Sequence, residues 1–177
     1  IIVDHHHELD EVPKAYAVLN CSFEQETYPT KDLAAGGMTY KLVQGMVEYA
    51  RKHRKDWDKP EGVEKWYLDL VAIATVADMV PLVGENRTLV AYGLTVLNKT
   101  RRVGLQAMLK LASIDLGKVT ERHIGFAIAP RINAAGRMQH ALGAFDLLTT
   151  TNKDEALTMA RQIHEDNSNR QKATKDY

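Results

Sequence analysis

The sequence predicts an α/β fold: a parallel sheet flanked by helices, helix-rich overall and ending in a long connector helix. Three observations predict it. The chain opens on the β-branched run Ile1-Ile2-Val3, which reads as a buried strand. From Asp32 onward, apolar residues (Leu33, Met38, Tyr40, Leu42, Val43, Met46, Val47, Ala50) recur at mostly helical spacing. The last segment, from Thr151 or Asn152 to Tyr177, has a helical pattern but is almost wholly polar beyond Ile163.

In chain order, Ile1-Ile2-Val3 runs into Asp4-His5-His6-His7. The strand thus delivers ligand-type side chains at its C-terminal tip, where open α/β sheets place their sites. A lone strand cannot satisfy its own ladder. Partners are expected upstream of Ile1, and the Ala17-Val18-Leu19 run beyond Pro13 suggests a second short strand. Glu24 to Thr30, with Pro29, reads as loop. The helix from Asp32 finishes in the basic run Arg51-Lys52-His53-Arg54-Lys55, which is expected to be a solvated helix end. Val63 to Val80 reads as a buried helix leading into Thr75-Val76-Ala77-Asp78 and stopped by Pro81 and Gly84. Asn86 to Leu97 is an amphipathic helix and Leu105 to Leu111 a shorter one. Thr120-Glu121-Arg122-His123 precedes an apolar run ending at Ala129-Pro130. A helix polar all round more often bridges two bodies than packs on one. The boundary is therefore placed after residue 151, with 152–177 as a connector to a second domain beyond Tyr177.

The 177 residues suffice for one domain with a real core, or for one domain plus an appended element. A formal net charge of zero means that any nucleic-acid affinity has to come from a local basic face. The single Cys21 excludes an intrachain disulfide and suits a reducing cytoplasm. No run approaches the roughly 18 apolar residues of a membrane-spanning helix, and the first residues lack the layout of a signal peptide. The expectation is a cytoplasmic protein with no membrane partner.

Two constellations carry chemistry. In Asp4-His5-His6, imidazole suits Mn²⁺, Zn²⁺ or Fe²⁺, and the carboxylate can either bind metal or fix a His tautomer from behind. Neighbouring strand residues point to opposite faces, so His5 and His6 are expected to have different tasks. A solvated surface loop is the ordinary alternative for such a cluster. Asp78 follows the apolar run Leu70 to Ala77, where a carboxylate is costly unless paired or bound to metal; the alternative is an exposed helix-terminal Asp. Asp69, about two and a half helical turns earlier, is read as structural. In Pro130-Arg131-Ile132-Asn133-Ala134-Ala135-Gly136-Arg137, two Arg offer bidentate donors to phosphate while small residues keep the surface open. A loop with two solvated Arg is the alternative there.

Together these segments resemble one family. The strand ending in Asp4-His5-His6 resembles the motif that names the DHH phosphoesterases. Leu68 to Leu82, with Thr75-Val76-Ala77-Asp78-Met79-Val80-Pro81, resembles a later metal-binding motif as RecJ nucleases carry it. Ala129-Pro130-Arg131-Ile132-Asn133-Ala134-Ala135-Gly136-Arg137-Met138 resembles a RecJ-type signature that smaller DHH relatives lack. Order and separations also fit, and the resemblance covers essentially the whole chain.

The resemblance implies a bilobal enzyme: residues 1–151 form the C-terminal part of a DHH phosphoesterase domain, and 152–177, with Asn167, Asn169, Arg170 and Gln171, begin the connector to a second domain. It implies a metal-dependent 5′-to-3′ exonuclease on single-stranded DNA, using Mn²⁺ or Mg²⁺ in recombination and repair, with repair or single-strand-binding proteins as partners. Carried over residue by residue, His5 and Asp78 look like metal ligands. His6 would sit beside the scissile phosphate with Asp4 orienting the pair, and Arg131, Asn133 and Arg137 would contact substrate phosphate. The family's upstream Asp-rich motifs supply further ligands, so these residues alone are expected to be inactive. His7 adds a third His, and Asn20-Cys21 stands where relatives often have Asn-Pro. Two other readings compete: another DHH phosphoesterase (a nanoRNase, cyclic-dinucleotide phosphodiesterase or pyrophosphatase), and a non-catalytic DNA-binding scaffold. The Pro130 to Arg137 signature argues against the first, and retention of His5, His6 and Asp78 against the second.

Overall fold

Two short strands and a helix buried on every side set the frame of the N-terminal half. The computed structural model describes the backbone of residues 1–6, 12–138 and 141–175, with the side chains of 136–138, 141 and 174–175 outside that description. The chain forms two compact units, Ile1–Leu97 and Asn98–Tyr177. It is helix-rich and its sheet is parallel, as expected, with two strands among the described residues.

In the first unit, β1 (Ile2–Val3) pairs in parallel with β2 (Val18–Leu19), Ile2 opposite Val18 and Val3 opposite Leu19. The ladder runs one residue past β1, because Asp4 N–H donates to the Leu19 carbonyl at 3.0 Å. The helix expected from Asp32 starts later, as α1 (Ala35–His53). Leu33 and Ala34 are buried, and Ala34 is still extended (φ −62°, ψ 157°). The Asp32 carbonyl is taken by the Asn86 side chain at 2.8 Å rather than by a helical turn. The basic run at the end of α1 is exposed, with Arg51, Lys52 and His53 in the last turn, where the helix dipole favours basic side chains.

The helix expected over 63–80 divides into a 3₁₀ turn, Val63–Tyr67, and α2 (Leu68–Ala77). The turn is entered through Gly62 at φ 74°, a left-handed conformation that favours glycine. Leu68, Asp69, Val71, Ala72, Ile73 and Thr75 of α2 are all buried, so the helix has no solvated stripe over that length. It packs against α1 and against α3 (Gly84–Leu97). The close approach depends on Gly93 of α3, where a Cβ would collide with the Leu68 carbonyl oxygen and the Ala72 Cβ. Cys21, Leu33, Met38, Tyr40, Leu68, Val71 and Leu89 share the surrounding core. Burial pushes the Cys21 thiol pKa up, which keeps this cysteine protonated and inert.

A polar clamp closes the same unit. Lys41 on α1 pairs with Glu85 in the first turn of α3, and the Tyr28 hydroxyl donates to Glu85 Oε2 at 2.9 Å. Burial alone raises the Glu85 pKa, but the bonds from Lys41 and Tyr28 outweigh it and the net shift is downward.

In the second unit, α4 (Val103–Leu111) and α6 (Ala129–Met138) pack against α8 (Lys153–Lys175). Between α4 and α6, Asn98 ties down the chain by a reciprocal pair, Nδ2 to the Val119 carbonyl at 2.9 Å and Val119 N–H to Oδ1 at 2.7 Å. Thr120 and His123 then form a capping box at α5 (Glu121–His123), and a π-helical turn, Ile124–Ile128, leads straight into α6. Pro130 has no N–H to give the preceding turn, and the wider π turn in front of it accommodates that loss. The segment Pro130 to Arg137, for which a loop was the open alternative, is therefore helix. An α7 (Ala141–Thr149) that periodicity did not reveal crosses α4 where a Cβ on Gly104 would strike the Leu147 carbonyl.

Asn152 caps α8, its Oδ1 accepting from Asp154 N–H at 2.9 Å. Ala156, Ala160, Ile163 and Asn167 recur on one buried face, and Asp166 is buried beside them. The sequence suggested that no core face survives past Ile163. It survives because the polar residues bond within the helix: Gln162 Nε2 donates to Asp166 Oδ1 at 3.1 Å, and Arg170 Nη2 to Asn167 Oδ1 at 3.4 Å.

Two outcomes follow from this packing. Gly93→Ala is expected to destabilise the fold by about 1–3 kcal/mol through overpacking, read as a lower urea midpoint; an unchanged midpoint would mean that α2 and α3 are free to separate. Because the folded Glu85 titrates below its ordinary value of 4.5, its contribution to stability is complete above that pH and is lost as the pH falls through the lowered value. Urea unfolding between pH 3 and 7 should show this acid limb in the natural sequence and a flatter one in Glu85→Gln.

Candidate metal and phosphate site

The ladder bond that holds Asp4 leaves its carboxylate at the end of β1, where the strand stops and the next residues turn. Asp4 Oδ1 accepts from His5 N–H at 2.8 Å, from His6 N–H at 3.4 Å and contacts His6 Nδ1 at 2.7 Å. The His6 ring bond is the main reason that the Asp4 pKa lies below its ordinary value; burial opposes it, and the two backbone N–H groups add to it. An ionised carboxylate can only accept, so Nδ1 of His6 carries the proton and its Nε2 keeps a free lone pair. His6 is exposed, and that lone pair is available to an incoming group.

The backbone of His6 is gripped from the other side. Asn20 Nδ2 and Ser22 Oγ both donate to the His6 carbonyl, at 2.8 and 2.7 Å. Ser22 N–H in turn donates to Asn20 Oδ1 at 2.9 Å. Asn20 is itself buried. The sequence marked Asn20 only as the first residue of an Asn-Pro pattern from which Cys21 departs, and no signal in it assigned Asn20 or Ser22 this task.

The His5 ring lies beside that of His6, centroids 4.7 Å apart and tilted by 47°. Its Nε2 lies 3.6 Å from Asp78 Oδ2, with side-chain exposures of 21% and 38%. That separation is long for a hydrogen bond and suits two donors converging on a shared cation. Asp78 is the C-cap of α2 (φ −78°, ψ −4°). A carboxylate at a helix C-terminus faces the negative end of the dipole, which favours a cation beside it. Met79 follows at φ 54° and is exposed, turning the chain out of the helix in the left-handed conformation usual just past a C-cap. One ligand atom from each of Asp4, His5 and His6 can be chosen so that all lie within 4.8 Å of one another. Imidazole nitrogens with carboxylate oxygens suit Mn²⁺, whereas Mg²⁺ prefers oxygen alone. The structure thus pairs Asp4 with His6 and His5 with Asp78. Asp69 is buried, with Oδ1 accepting from Leu70 N–H at 2.8 Å, in keeping with a structural part.

The arginine signature lies in the second unit, on α6. Arg131 is partly buried; its Nη1 donates to the Ala127 carbonyl at 2.8 Å, and its Nε and Nη2 meet His164 Nδ1 at 3.3 and 3.1 Å. Asn133 is exposed. Two residues apart on a helix is about 200° around its axis, so Arg131 and Asn133 do not share a face. Arg137 belongs to α6 by its backbone, and its side chain lies outside the described residues. His7 also lies outside them.

No protein-family model matches the chain. It is 38% identical over 172 residues to the single-stranded-DNA-specific exonuclease RecJ of Bacillus subtilis (strain 168), covering 97% of this chain and 20% of that protein. To the same-named protein of Escherichia coli (strain K12) it is 33% identical over 168 residues, covering 92% and 29%. A crystal structure of RecJ in complex with Mn²⁺ from Thermus thermophilus superposes with a TM-score of 0.79 at 31% identity, covering 96% of this chain and 24% of that one. The chain is RecJ-like. The RecJ-like chain spans about a fifth to under a third of the length of these relatives. Among its described residues, no helix is long and apolar enough to cross a membrane.

Removing the buried Asn20 side chain takes away one of the two donors to the His6 carbonyl and the acceptor of Ser22 N–H. Asn20→Ala should therefore cost about 1–3 kcal/mol of stability, measured by denaturant unfolding, with Asn20→Asp recovering little because its oxygens cannot donate.

Proposed function

We propose that the protein is a metal-dependent phosphodiesterase of the DHH superfamily, a RecJ-type exonuclease that removes nucleotides from the 5′ end of single-stranded DNA in recombination and repair. The observation that carries this reading is the convergence of His5, from the end of β1, with Asp78, from the end of α2, at 3.6 Å. In the same reading, the segment up to residue 151 belongs to a DHH domain and α8 is the connector to a further domain. The protein works in the cytoplasm, alongside repair or single-strand-binding proteins.

His5 and Asp78 hold the metal, Mn²⁺ in preference to Mg²⁺ given the imidazole. Divalent cations supply electrophilic stabilisation of the phosphate oxygens and an activated water for in-line displacement. Asp4 holds the proton on His6 Nδ1, so that Nε2 can accept a hydrogen bond or a proton beside the scissile phosphate. Asn20 and Ser22 fix the His6 backbone so that only its ring is left to adjust. Arg131, Asn133 and Arg137 contact strand phosphates in the second unit, Arg131 and Asn133 from different faces of α6.

The test uses the protein at its natural length, with Mn²⁺ and single-stranded DNA labelled separately at each end, beside a dinucleotide control. Loss of nucleotides from the 5′ end, with little action on the dinucleotide, is the expected result. Cleavage of the dinucleotide alone would move the protein to the small-substrate phosphodiesterases, and tight strand binding without cleavage to the scaffolds. Asp78→Ala should abolish Mn²⁺-dependent cleavage while leaving the unfolding midpoint within about 0.5 kcal/mol of the natural protein; near-normal turnover would remove Asp78 from the metal site.

A further inference from the structure

Arg131 is held by a group of unusual charge. A guanidinium set into a protein surface is commonly fixed by a carboxylate, which orients it and cancels its charge. Among the described residues no carboxylate pairs with Arg131. Its orienting acceptor is the neutral lone pair of His164 Nδ1, reached from Nε at 3.3 Å and from Nη2 at 3.1 Å. The Ala127 carbonyl takes Nη1 at 2.8 Å from the π turn below. Accepting at Nδ1 puts the ring proton on Nε2. Both acceptors are uncharged. Of the five N–H donors of a guanidinium, bonds to the described residues use three and leave two. The side chain is partly buried, and that burial moves its pKa downward from the usual arginine value.

We infer that His164 is a positioning residue that aims the Arg131 fork from α8 while leaving its positive charge whole for a phosphate of the bound strand. The inference rests on the proposed reading of Arg131 as a phosphate contact, and it assigns a task to a helix otherwise read as a connector. A carboxylate at 164 would hold the same geometry but present an electrically neutral pair. A shorter side chain would release the fork into several rotamers, each lost again on binding. His164 satisfies both demands: it orients without neutralising. Its backbone is secured as well, since Ser168 Oγ donates to the His164 carbonyl at 2.8 Å.

The experiment measures binding of a labelled oligothymidylate to the protein at its natural length, across a salt series, without added divalent cation so that cleavage does not intervene. Arg131→Ala should lower affinity by about tenfold and flatten the log–log salt slope by about 0.7, the value of one single-strand phosphate. His164→Ala should lose a smaller factor, about three- to fivefold, and His164→Gln, whose carbonyl can still accept, should stay within about twofold of the natural protein. The Arg131→Ala, His164→Ala double variant should bind no worse than Arg131→Ala alone. Full affinity in His164→Ala, with Arg131→Ala still impaired, would overturn the positioning role and leave the phosphate reading standing. Additive losses in the double variant would overturn it too, by making His164 an independent contact. Full affinity and an unchanged slope in Arg131→Ala would remove the phosphate reading and the inference together. A purely structural pair would lower the unfolding midpoint and leave the salt slope untouched, which would also overturn it.

Discussion

A helix buried on every side has to surface somewhere, and α2 surfaces at Asp78. Most of the first unit depends on this constraint. Six of the ten residues of α2 are buried, so its register against α1 and α3 is fixed by packing alone, and Gly93 allows the contact to be close. The last helical residue is Ala77, and the first polar side chain beyond it therefore emerges at a defined place and direction. β1 imposes the matching condition from the other side: its ladder runs out at Asp4, and the chain must turn there. His5 and Asp78 meet where β1 and α2 end.

The sequence was informative where a residue's task follows from its position along a periodic element. The β-branched opening, the stripe after Asp32 and the apolar run into Asp78 all translate into the elements they suggest, with ends shifted by a few residues where tertiary bonds intervene, as at Asp32. The pairing of Asp4 with His6 is local and follows from a carboxylate two residues from an imidazole. The rest depended on contacts between residues far apart in the chain. Nothing in the pattern around Asn20 says that its amide supports the His6 carbonyl, and a lone His164 in a polar helix carries no mark of Arg131. The arginine signature was legible as chemistry but not as geometry: read as a string it places Arg131 and Asn133 side by side, and the helix turns them apart.

The second unit shows how a polar helix can still be packed. Along α8, small apolar residues give way to Asp166 and Asn167 on the buried side, each with a hydrogen-bond partner one turn away. Such a face costs more to desolvate than an apolar one, but it tolerates only partners with matching donors. The same trade recurs at Arg131, which is partly buried yet, among the described residues, meets only uncharged acceptors.

The grip on the His6 carbonyl has a consequence for how the segment between the two strands can change. That segment is anchored at one end by the β1 ladder and the Asp4 bonds, and at the other by Asn20, Ser22 and β2. Within it, the described residues Val12 to Tyr16 are exposed. Added residues would meet mainly the entropy of closing a longer loop, roughly 0.6 kcal/mol for each doubling of its length, while His5 and His6 stayed in place. The stretch from Val12 to Tyr16 is thus open to insertion and divergence in a way that its neighbours on either side are not.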